Sequence, residues 1–271
     1  MIPKSLKFYL DEMKHLNEDD LVWREAVPFN IIMFLLLKKE VLKASVLESY
    51  LKTLGFPSCK TSDALTLRIK ETYLPLIKIE CCDETLSSEN DILTKAFYDL
   101  LSSSNENIRE CVELALVEVF NNLRDHSKAS SVVYTAQKWN DDILEFALYD
   151  NGRGFQESLK AESELIALQK AILEKASGTN DPERGRGLQV LKTLVLNKEV
   201  LGEFLLISND SYCYMSTSDL EPNIIGGQLP FSIWGSLLVL RLNNLLKTDF
   251  SKIYEIMLEP DDFVLKNNLI R

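Results

Sequence analysis

The chain has 271 residues, 46% hydrophobic and 26% charged, with a formal net charge of −11. That length allows one large domain, or a domain plus a small module, with ample apolar material for a core. The acidic balance argues against general nucleic-acid binding, which needs a basic face to neutralise phosphates.

The N-terminal run MIPKSLKFYLDEMKHL carries no apolar signal core. The most hydrophobic stretch, Ile31–Leu37, is far shorter than the roughly 20 residues that a membrane-spanning helix needs. The five cysteines are Cys59, Cys81, Cys82, Cys111 and Cys213. They are odd in number and contain no CxxC pair, which argues against a disulfide framework and against a zinc site. The expectation is a soluble, cytoplasmic protein with buried free thiols and no membrane partner.

Residues 1 to about 70 read as helical, with Pro28 placed in the first turn of the apolar helix that follows it. The run Gly55-Phe56-Pro57-Ser58 marks a turn. Leu74–Cys81 reads as a strand, Ser88–Leu101 as a helix. Asn105–His126 predicts a strong helix, with Ile108, Val112, Leu116, Val119 and Leu123 on one stripe. Ser131–Lys138 and Ile143–Tyr149 read as a hairpin around Asn140-Asp141-Asp142. A long polar segment runs from Gln156 to Glu183, followed by a helix over Gly187–Asn197. Glu203–Ser208, Tyr212–Ser216 and Ser236–Leu242 read as strands, and Phe250–Leu258 as a terminal helix. Helices first, then strands broken by one helix, predict an α+β layer of antiparallel sheet covered by helices.

Three segments carry candidate chemistry. Glu118, Asn122 and His126 are spaced by four and stack on one face of their helix, flanking the apolar stripe. A carboxamide suits a hydrated Mg²⁺ that takes its remaining ligands from phosphates, and a carboxylate one turn away suits a group that orients or deprotonates a nucleophile. Asp150-Asn151-Gly152-Arg153-Gly154-Phe155 follows a strand directly. Its glycines permit close backbone approach, and Asp150 suits acceptance of a hydrogen bond from an exocyclic amine. Arg184-Gly185-Arg186-Gly187-Leu188 opens a helix, where free N–H groups and the positive dipole end suit phosphate. No GxxxxGK[ST] or GxGxxG pattern occurs.

In this order, ExxxN on a helix, DxGxGF after a strand and GxGL opening a helix, the set resembles the GHKL ATPase superfamily of gyrase B, MutL, the histidine kinases and the anti-sigma-factor kinases. The resemblance covers about residues 72 to 244. Its nearest likeness is the stand-alone branch, whose first motif reads like ExxxNAxxH; here Leu123 stands for the usual Ala. Ser236, in Trp234-Gly235-Ser236, stands where the family usually has Thr. The resemblance implies a Bergerat α/β sandwich: a mixed, mostly antiparallel sheet with helices on one face. A helical module or extension over residues 1–71 would precede it, and a helical tail over 245–271 would follow.

The resemblance also implies roles. Asn122 would hold Mg²⁺, Glu118 would be the catalytic carboxylate, and Asp150 would take the adenine amine. Gly152, Gly154 and Phe155 would shape the pocket floor, and Gly185, Arg186, Gly187 and Leu188 the phosphate end. Ser236 would reach adenine through water. Residues 156–183 would form a mobile ATP lid.

Three uses of such a site compete. The first is a kinase or ATPase of the anti-sigma-factor type, acting with a small, STAS-like protein partner. The second is a sensor histidine kinase, but His15 and His126 are the only histidines and neither sits in an acceptor hairpin. The third is an ATP-gated interaction switch, a dimerising clamp or scaffold with little catalysis. The partner, the phosphoryl acceptor and self-association stay open at this level.

Overall fold

A computed structural model describes residues 4–14, 27–37, 51–56, 58–60, 72–81, 95–96, 99–101, 106–123, 127–140, 142–173, 187–218, 221–243 and 245–258. Two N-terminal helices come first, α1 (Leu6–Lys14) and α2 (Pro28–Leu36). Strand β1 (Tyr73–Glu80), helix α3 (Glu106–Asn122) and the hairpin β2 (Ser131–Trp139) and β3 (Ile143–Asp150) follow. Next come α4 (Gly154–Leu159), α5 (Glu164–Leu173) and α6 (Gly187–Val195). The chain then forms β4 (Glu203–Ser208), β5 (Ser211–Ser218), β6 (Glu221–Gln228), β7 (Ser236–Leu242) and α7 (Phe250–Leu258).

The seven strands form one sheet in the order β1-β2-β3-β7-β4-β5-β6, and each ladder is antiparallel. The protein is therefore α+β with an antiparallel sheet, where a mixed sheet was expected. A parallel bridge joins Lys60 to Ile77 outside the named strands. Strand β1 changes register between Leu74 and Ile77, where Pro75 cannot donate to the ladder.

Helices lie on both faces of the sheet, a correction to the one-faced layer expected from the sequence. On the first face, Leu116, Val119 and Phe120 of α3 and Leu191 and Leu194 of α6 pack over Phe146, Leu148, Leu206 and Leu240. Helix α7 rests on α3 and α6, and α5 packs over β4, β5 and β6. On the second face, Leu6, Tyr9, Leu10 and Met13 of α1 and Phe29, Ile31 and Ile32 of α2 pack over Val133, Ala147, Leu205, Tyr214 and Val239. Each fully buried large apolar side chain contributes about 1.5–3 kcal/mol, so the N-terminal helices form a structural layer of the sheet.

Two-sided burial explains the strand composition. The β7 run SLLVLRL is buried at every position, because a sheet covered on both faces needs apolar side chains on both. The exceptions are charged and in register. Glu145, Arg241 and Glu203 are direct cross-strand partners on β3, β7 and β4, facing the N-terminal helices. Arg241 binds Glu145 through Nε at 2.9 Å and Glu203 through an Nη at 3.2 Å. The Glu145 carboxylate accepts the Phe29 N–H at 2.9 Å, and the Glu203 carboxylate accepts the Leu6 N–H at 2.9 Å. Each acid thus satisfies a free amide in the first turn of a helix, where the dipole also favours negative charge.

Candidate functional site

The candidate site grows from the ends of three strands. Asp150 is the last residue of β3, Ser236 the first of β7 and Ser208 the last of β4. They are direct partners in the ladders, Asp150 with Ser236 and Ser236 with Ser208. Alternation along the strands puts all three on the face of Leu148, Leu238 and Leu206, beneath the α3–α6 layer. All three are buried. A row of polar side chains here interrupts an otherwise apolar face.

Asp150 carries the strongest electrostatic signal. Burial pushes its carboxyl up to about 7, partly opposed by the hydrogen bond that its Oδ1 accepts from the Gly152 N–H at 2.9 Å. Among the described residues that amide is the one hydrogen-bond donor to the carboxylate. A buried carboxyl with spare acceptor capacity, poised near neutrality, is a mark of a functional site.

The turn after Asp150 is tied to the end of α3. The Ser127 carbonyl accepts the Arg153 N–H at 2.9 Å, and the Ser127 hydroxyl donates to the Leu123 carbonyl at 2.8 Å. Asn151 holds the Ser130 and Ser131 amides with its side-chain oxygen at 3.0 and 2.8 Å. The chain that leaves the Glu118–Asn122 helix is therefore fixed beside the Asp150 turn. Glu118 and Asn122 are both half-buried on α3, beside the core stripe of Val119 and Phe120.

The glycines serve the fold itself. A Cβ at Gly152 would stand 2.4 Å from the Ser127 carbonyl oxygen and 2.6 Å from Asp150 Oδ1. A Cβ at Gly154, where φ is +75°, would meet Asn209, Ser208 and Glu164. Neither position has room for a Cβ. Gly235 is tighter still: φ is +98°, and a Cβ would lie 2.0 Å from the Asp150 carbonyl oxygen. Gly235→Ala is expected to destabilise the protein by roughly 1–3 kcal/mol or more, from the positive φ alone, and to disturb the Asp150–Ser236 register. Urea denaturation would measure the first effect; an unchanged midpoint would contradict this packing.

Glu164 escaped the sequence reading. It is buried, and its carboxylate accepts the Phe155 N–H at 2.6 Å, the Gln156 N–H at 3.2 Å and the Asn209 side-chain amide at 3.0 Å. It therefore caps α4 from nine residues downstream and ties it to the β4–β5 turn. Phe155 packs partly buried against the first core. Residues 156–173 of the expected lid lie in α4, α5 and the turn between them, with Ala167, Leu168, Ala171 and Ile172 buried. An apolar stripe on a helix at that spacing makes core, so this part of the segment is less polar than its sequence suggests.

Gly187 begins α6 and Leu188 is buried in the core. Arg184, Gly185 and Arg186 lie outside the described residues, as do His15, His126 and the Ser177–Asn180 stretch. Cys111 and Cys213 are buried, and burial pushes both thiols up to about 12; Cys59 and Cys81 are half-buried. Among the described residues no helix is long and apolar enough to cross a membrane.

A comparison with protein-family models finds no match, and a comparison with curated proteins finds none either. Any functional reading therefore stands on the sequence motifs and on this geometry.

Proposed function

We propose that this protein binds Mg-ATP at the Asp150–Ser236 strand ends and acts as a regulatory kinase or ATPase of the anti-sigma-factor type, with a small protein partner. One observation carries the reading. Asp150 is a buried carboxyl with an uncommitted acceptor, standing in register beside the Ser236 hydroxyl and on the same face as the Glu118–Asn122 helix. The first and second motifs, far apart in sequence, converge there through Ser127. That convergence is what a nucleotide site built from ExxxN and DxGxGF requires.

The donor set fits the group. The Asp150 carboxylate accepts from the exocyclic amine of adenine, the base end of the ligand. The start of α6 at Gly187 would turn its first-turn amides to phosphate oxygens. The Asn122 carboxamide would hold Mg²⁺, which when bound neutralises charge on the phosphates. Glu118 would take the proton from the attacking hydroxyl as that oxygen bonds the γ-phosphorus and the β–γ bridging bond breaks, releasing ADP.

Calorimetric titration with a non-hydrolysable ATP analogue, with and without Mg²⁺, tests the pocket. Binding strengthened by Mg²⁺ supports the reading, and no binding at millimolar nucleotide removes it. Glu118→Ala is expected to keep analogue affinity near that of the parent while slowing phosphoryl transfer by about 10²–10⁴-fold, the usual contribution of a general base. Equal turnover in both proteins would remove Glu118 as the base, and turnover near zero in both, with binding kept, would leave an ATP-gated switch as the better description.

A further inference from the structure

We propose that β6 pairs antiparallel with β6 of a second copy of this chain, about a two-fold axis through Gly226, joining the two sheets into one whether or not a nucleotide is bound. Strand β6 ends the sheet and is paired with β5 along its whole length. The phase of that ladder is fixed. The Leu229 N–H donates to the Asp210 carbonyl directly across from it at 2.7 Å, and on the other side of β5 the Thr217 N–H donates to the Gly202 carbonyl at 3.2 Å. Antiparallel bonds alternate along a strand, so Asn223, Ile225 and Gly227 aim their backbone groups at β5. Ile224, Gly226 and Gln228 aim theirs away from the sheet. Among the described residues nothing bonds to these three on that side, and Gly226 and Gln228 are exposed.

The two edges of the sheet are built differently. On β1, Pro75 lacks a donor and the register shifts between Leu74 and Ile77. Lys60 also occupies that edge: its N–H donates to the Leu76 carbonyl and its carbonyl accepts the Lys78 N–H, each at 2.8 Å. Such features keep an edge from pairing with another chain. The β6 run NIIGGQ, residues 223–228, has no proline, no charge and an unbroken register. A β1–β6 contact between copies would repeat without closing, and the obstructed β1 edge opposes it, whereas β6 against β6 closes at two copies. Prolines set the register. Pro222 and Pro230 stand four residues to either side of Gly226 and have no N–H to give. An axis through Gly226 maps Ile224, Gly226 and Gln228 onto one another. Gly226 then bonds Gly226 of the second copy, Ile224 bonds Gln228, and the prolines meet beyond the ladder. Ile225 stands opposite Gly227 of the second copy, large against small, and the run brings no like charges together on a chain of net charge −11.

Analytical ultracentrifugation of the full chain over a concentration series tests the pairing, and the parent is expected to reach a dimer and stop there. Gly226→Pro removes the central outward N–H and leaves the bonds to β5 in place. It is expected to raise the dimer dissociation constant at least about tenfold, through one hydrogen bond lost from each copy, with an unchanged far-ultraviolet circular dichroism spectrum. Gly226→Cys reads the register without a proline. Its Cβ would meet the Leu165 side-chain end first, at 3.2 Å. Hydrogen-bonded antiparallel partners stand about 5.5 Å apart at Cα, so oxidation with diamide should link two copies through position 226. Gln228→Cys should give no such link, because its counterpart lies roughly 14 Å away along the paired strands. Peptide mass spectrometry separates these links from any formed by the native cysteines. A parent that stays monomeric, a dimer that Gly226→Pro leaves equally tight, or a link at position 228 in place of 226 overturns the proposal. So does assembly that grows past two copies, since a second edge or face would then be pairing.

Discussion

Asp150→Asn is expected to abolish adenine-nucleotide binding and at the same time stabilise the protein at pH 8. The side chains are nearly isosteric, and the Asn oxygen still accepts the Gly152 N–H that Asp150 accepts at 2.9 Å. The amide nitrogen, however, is a donor facing the amine of the base. An unpaired buried donor costs about 1–3 kcal/mol on each side, which moves affinity by two orders of magnitude or more. Stability moves the opposite way. The Asp150 carboxyl is held up to about 7 in the fold, against 3.8 as its ordinary value. Below pH 4 it is protonated folded and unfolded, and costs nothing. Between pH 4 and 7 the unfolded chain ionises first, so the parent loses stability as pH rises. Above 7 the full cost of a buried charge is present, on the order of 2–4 kcal/mol. The Asn variant lacks this term, so its advantage should grow from near zero at pH 4 to its full value at pH 8. Calorimetry and urea melts at those two pH values check both halves. A variant that binds the analogue as tightly as the parent would show that Asp150 does not read the base.

Much of this was legible because local pattern and tertiary demand agree. The stripe Ile108, Val112, Leu116, Val119 and Leu123 faces the core as its spacing requires. The strands at 203–208 and 236–242 fall where continuous apolar runs end at polar residues. The pairing of Asp150 with Ser236 is not a sequence property, since it depends on which strands are neighbours, yet it joins two residues singled out separately. Strand β6 was missed because EPNIIGGQ has Pro and Gly where strands are usually β-branched; it is an edge strand, where Pro222 and the glycines are tolerated. Helix α5 was hidden by its polar surroundings, although Leu168, Ala171 and Ile172 are spaced for a buried face. The second layer was invisible for another reason. Residues 1–70 read as helical, but nothing local says which surface a helix covers.

A signal for that surface did exist. Glu145 and Arg241 are lone charges inside the apolar runs ILEFALY and LVLRL, and Glu203 opens the run EFLLIS. Charges in such positions are paired or costly, and one cation with two anions is a set that can meet across three neighbouring strands. Arg241→Met is therefore expected to be the most destabilising single change outside the apolar core. It would leave two buried carboxylates facing each other across β7 with no cation between them. Removing one partner of a buried ionic cluster costs about 3–5 kcal/mol. The loss also reaches the N-terminal layer, because these carboxylates hold the Leu6 and Phe29 amides and Arg241 donates to the Lys4 carbonyl. Hydrogen exchange should show those first-turn amides losing protection before the β3–β7 ladder does, since the ladder keeps its apolar packing against α3 and α6. Urea denaturation gives the magnitude. A shift below about 1 kcal/mol, the range of an exposed ion pair, would mean that water reaches the cluster and that apolar contact alone holds α1 and α2 to the sheet.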